Sequence, residues 1–148
     1  MKTTLAVILG YVVMAGIVFG GLTVAYDSMG TDKSFEPNSY APTMTWILTM
    51  FGVGLVAAVV GGLVAAKIGG SSGTKVLTLI VVVLGVGMAV AHAVMDPPAE
   101  RPNQRPVELD GTQAREWSES PLWVNLAHPV IGAIGICIGA AFAGKKKG

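Results

Sequence analysis

His92 and His128 are the only two histidines of this 148-residue chain, and their type and placement could do chemistry. Each lies within an apolar run, close to a long polar stretch that joins the two runs, so both are expected at similar depth. A neutral imidazole both donates and accepts a hydrogen bond, changes charge near neutral pH and ligates metals. Two of them meeting between helices could hold one haem iron, with nearby glycines leaving room for the macrocycle, or could pass a proton. Each is equally well served by a backbone carbonyl or a water at the membrane interface. The spacing does not fix which way either ring faces, so no cofactor is assigned. His92 and His128 stand as the candidate haem ligands. Asn125 lies three residues before His128, on the same helical face and beside Pro129. A helix-interior proline frees a carbonyl, and these polar side chains are placed to satisfy it.

The other chemistry-bearing residues form no constellation. Cys137 is the single cysteine, which excludes an intrachain disulfide and a Cys-rich metal site; in its apolar run it is expected to be an inert packing residue. No Ser–His–Asp or Cys–His arrangement and no phosphate-cradling glycine loop is present, so no catalytic residue is assigned and the chain is not expected to be an enzyme. The acidic residues lack the order of a calcium loop and read as solvated loop charge, leaving no metal site.

The elements that must position the histidines are apolar runs. Thr43–Ala66 contains no charged residue. At about 1.5 Å per helical residue its length exceeds a hydrocarbon core of about 30 Å. Leu5–Tyr26, Val76–Met95 and Pro121–Gly144 are likewise free of Asp, Glu, Lys and Arg. The first run is longer than the roughly 7–15 residues of a signal-peptide core, so it is expected to be an uncleaved anchor. Small residues recur at intervals of four: Gly16 and Gly20; Gly54, Ala58, Gly62 and Ala66; Gly85, Ala89 and Ala93; Gly135, Gly139 and Ala143. Such positions share a helix face and let membrane helices approach closely. The expected fold is therefore all-α, an integral membrane antiparallel four-helix bundle with small-xxx-small packing, one domain over residues 1–148. The helices are expected at 5–26, 43–66, 76–95 and 121–144.

Residues 27–42 and 96–120 are polar, proline-containing loops, and residues 67–75 are a short Gly/Ser turn. No helix is assigned within 107–120, although a helical turn around Thr112–Glu119 fits the composition. Trp46 is expected at headgroup depth. Trp117 and Trp123 flank the end of the second loop, as membrane-surface anchors or a docking surface.

Charge sets the orientation. All nine acidic residues fall in the two long loops. Lys2, Lys67, Lys75 and Lys145–Lys147 lie on the side of the termini and the short turn, which the orienting preference for Lys and Arg places in the cytoplasm. Both loops are then outside, and a bacterial inner membrane is the expected location. With only 13% charged residues and a net charge of +1, no nucleic-acid partner is expected. The bilayer is the expected partner, together with another membrane protein or further copies of the chain. Without an ionisable group inside a run there is no basis for a carboxylate-driven exporter. The leading expectation is a non-catalytic multi-pass accessory or scaffold subunit, or a small homo-oligomer. The alternative is an oligomeric channel or transporter, with a bis-His haem electron-transfer subunit ranked behind both.

Overall fold

The computed structural model describes residues 1–95 and 97–144. Asp96 and the Lys145–Lys147 cluster invoked for orientation lie outside the described residues. The chain is all-helical: α1 (Lys2–Met29), the short α2 (Thr31–Ser34), α3 (Met44–Val94), α4 (Gly111–Trp117) and α5 (Leu122–Gly144). Three of these, α1, α3 and α5, are long and apolar enough to cross a membrane.

α3 covers two of the expected helices and reverses direction within itself. Gly70 has φ 61° and ψ −149°, a non-helical conformation essentially confined to glycine. Residues 65 and 73 would stand about 12 Å apart along a straight helix. Instead a methyl group placed on Gly73 would come within 2.9 Å of the Ala65 carbonyl. The expected nine-residue turn at 67–75 is therefore contracted to one reversing residue, with helix wound up to it from both sides. At about 1.5 Å per residue, the arms 44–69 and 71–94 are roughly 39 and 36 Å long.

Both α1 and α5 pack against α3. A methyl group on Gly10 of α1 would meet the Gly61 carbonyl and the Leu77 side chain, each at 3.0 Å, and so touch both arms. On the other side Gly62 lies against the Ile136 backbone of α5, and Gly139 against the Val59 backbone. Gly135 admits Ala58, whose side chain a methyl group would approach to 2.5 Å. Gly85 makes room for Pro129, and Ala89 is buried. Val7, Ala58, Ala65, Leu77 and Ile136 form the buried centre. Gly16, Gly20 and Gly54 differ: among the described residues nothing lies within 4 Å of a β-carbon placed there. Sequence spacing puts them in ladders, but the helices are turned so that other positions make the contacts: Gly21, next to Gly20, meets Val53, and Gly54 faces an open space between the helices.

The two polar loops are not independent solvated segments. They fold together into a cap around Tyr26, Phe35, Tyr40, Trp46, Leu109, Ala114 and Trp117. Phe35 and Pro42 form an antiparallel bridge, closing a tight loop with Asn38 at positive φ. Trp117 is thus part of a core, not a membrane anchor, because the second loop folds it inward. Trp46, at the foot of α3, is covered by the cap and packs edge-on against Tyr26 at 5.8 Å between ring centroids. Trp123 is exposed, as is Cys137, which points away from the helix contacts and does not fill the core.

Candidate functional site: a cavity between the helices, under a folded cap

A cavity of about 450 Å³ lies between α1, both arms of α3, and α5. Its size is in the range of small-molecule sites. His92, His128 and Asn125 all line it, so the structure brings both candidate histidines to one space. Phe51 closes part of the wall: its ring stands 5.0 Å from the His128 ring and 6.4 Å from Trp123, edge-to-face in both cases. Asn125 donates weakly to the Ser120 carbonyl at 3.4 Å, which holds its side chain at the cap end of α5. None of the lining residues is Asp, Glu, Lys or Arg. Tyr11, Phe19, Leu84, Met88 and His92 line the cavity yet remain exposed, so it opens sideways between α1 and the second arm of α3.

The two histidines do not stand at the similar depth expected from their places in the runs. Pro129 of α5 sits on Gly85 of the antiparallel second arm, which fixes the register. His128 is one residue from that contact toward the cap and His92 is seven residues toward it. At about 1.5 Å per residue the offset is roughly 9 Å along the bundle. Axial haem ligands approach one iron from opposite faces, which calls for two rings at one level. Across this offset the two backbone positions do not lie at one level. Among the described residues no group of three or more His, Cys, Asp or Glu gathers as a metal site.

The cap is held by a closed set of hydrogen bonds centred on Thr31. Tyr26 donates to the Leu109 carbonyl at 2.9 Å. A phenol has one proton, so the 2.9 Å contact between Tyr26 and Thr31 is donated by Thr31. The Thr31 oxygen in turn accepts from the Leu109 N–H at 3.0 Å. The second loop is tied down again by Tyr40, which donates to the Pro102 carbonyl, and by the Glu119 N–H, which donates to the Tyr40 carbonyl. Arg101 lies over the Tyr40 ring at 4.6 Å, pairs with Glu119 at 2.6 Å and donates to the Trp117 carbonyl. Asp110 caps α4 in a reciprocal box with Gln113. Arg105 is almost fully buried beside Asp32, whereas every described acidic residue is exposed. The cap therefore turns its carboxylates outward and folds two of its arginines in.

Three helices long and apolar enough to span a bilayer fit an integral membrane protein. No family model, no curated protein and no solved structure matches the chain.

Proposed function

We propose that the chain crosses the membrane four times as an antiparallel bundle and serves as a non-catalytic accessory subunit. The break at Gly70 supports four crossings, since each arm of α3 is long enough to span the hydrocarbon core. Close glycine contacts at Gly62, Gly85, Gly135 and Gly139 hold the bundle, and both termini face the cytoplasm of a bacterial cell. The observation that carries the subunit reading is the cap. Its two loops share one aromatic core and present Asp32, Glu36, Glu108 and Glu116 on a fixed outer surface. A rigid, negatively charged surface suits docking of a basic partner domain, because its geometry is set before contact.

Topology is tested first. With Cys137 replaced by alanine, cysteines are introduced singly as Glu108→Cys and Lys67→Cys. A membrane-impermeant maleimide applied to intact cells should label position 108 and spare position 67; the reverse pattern refutes the orientation. Mild-detergent extraction then tests the role. A stoichiometric complex that dissociates with salt, and that is lost on replacing the four cap carboxylates by amides, supports the subunit reading. A partner-free oligomer passing ions in proteoliposomes refutes it in favour of a channel.

A further inference from the structure

We propose that the cavity between the helices binds a para-quinone, its ring held between His92 and His128 and its tail leaving sideways into the bilayer. The inference rests on the four-crossing placement and goes beyond the subunit reading. The occupant's chemistry follows from the walls. An uncharged lining offers nothing to a phospholipid phosphate, whose recognition calls for Lys, Arg or aligned backbone N–H groups. The lining does offer two imidazoles and an amide, set among the aromatic side chains of Tyr11, Phe19 and Phe51. That is a site for a flat, neutral molecule with hydrogen-bonding groups at both ends.

Spacing selects among such molecules. The oxygens of a para-quinone lie about 5 Å apart, and a hydrogen bond of about 2.9 Å at each end gives roughly 11 Å between donor nitrogens. The two histidines line one cavity from backbone positions roughly 9 Å apart in depth and on different helices, which leaves room for a molecule of that length between their rings. A sterol or a long-chain alcohol, with one hydroxyl, would engage one histidine and leave the other idle. The exposed side chains of Leu84 and Met88 along the lateral opening give an apolar exit for an isoprenoid tail. His92 is exposed within this opening, so its ring is accessible to a ligand without rearrangement of the core.

The full chain in nanodiscs of neutral phosphatidylcholine is titrated with decylubiquinone, following tryptophan fluorescence; Trp123 is one ring removed from the cavity wall. Saturable quenching is expected. Decylbenzene, with the same tail and no carbonyl, should compete about 25-fold more weakly, about fivefold for each hydrogen bond lost. His92→Ala should weaken the quinone about fivefold and leave decylbenzene unchanged. Gly54→Leu, which grows into the cavity from a position with nothing within 4 Å, should abolish saturable binding of both without disturbing the fold. Equal affinity for quinone and decylbenzene would overturn the proposal and leave a plain acyl-chain groove. Undiminished quinone binding by Gly54→Leu would overturn it by placing the ligand elsewhere. Absence of binding in a protein whose positions 67 and 108 label from opposite sides overturns this site alone, whereas labelling of both positions from the same side overturns the four-crossing placement.

Discussion

Tyr26→Phe isolates the junction between the two loops of the cap, because it removes one oxygen and keeps the ring. The phenol hydroxyl is buried, donates to the Leu109 carbonyl and accepts from Thr31. Its loss leaves a buried carbonyl without its partner and Thr31 without its acceptor, while the edge contact with Trp46 persists. Leaving one such group unsatisfied costs about 1–3 kcal/mol. Tyr26 joins this hydrogen-bond set from the last turns of α1, its partners Thr31 and Leu109 lie in the cap, and neither α3 nor α5 takes part, so the cost falls on local opening of the cap and not on the bundle. The reporter is the Leu109 amide, which donates to Thr31. Its hydrogen exchange in nanodiscs should accelerate about 5- to 160-fold. Amides near Ile136, in the centre of the bundle, should exchange at the original rate. Thr31→Val should accelerate the same amide, and the double variant should fall short of the sum, since both changes break one network. An unchanged Leu109 rate in Tyr26→Phe, or acceleration spread equally to α5, would refute the idea that this hydroxyl locks the cap.

Two further outcomes concern the glycines. Gly139→Leu drives a side chain against the Val59 backbone, which cannot rotate away, so a loss of about 3 kcal/mol or more is expected in detergent unfolding. Gly20→Leu, which meets nothing, should be neutral or slightly stabilising; equal losses at the two positions would contradict the packing. Gly70→Ala forces a β-carbon into a conformation essentially confined to glycine and should lower the unfolding midpoint by the equivalent of about 1–3 kcal/mol. An unchanged midpoint would mean that the reversal is made elsewhere.

What the sequence shows and what it hides divide along physical lines. The apolar runs are legible because a bilayer imposes one requirement, an uncharged stretch of sufficient length, on every spanning segment. The ladder spacing is legible too, but spacing only says which small residues share a face. Whether that face meets a neighbour depends on how each helix is turned against the others, and so Gly139 is packed while Gly20 is open, although the adjacent Gly21 meets Val53. The cap is harder to see, since its core is drawn from Tyr26, Phe35, Tyr40, Leu109 and Trp117, scattered through polar stretches with no period to reveal them. One local signal was readable: Asp110 followed by Gln113 is the signature of a helix start, and α4 begins there. The histidines show the same limit most sharply. Their places in the runs put both near the outer ends of neighbouring helices, which invites a shared metal. The register set by Pro129 on Gly85 separates them in depth. A contact between a glycine and a proline, neither of which can do chemistry, thus shifts the preferred occupant from a single atom held by two ligands to an elongated molecule held at both ends.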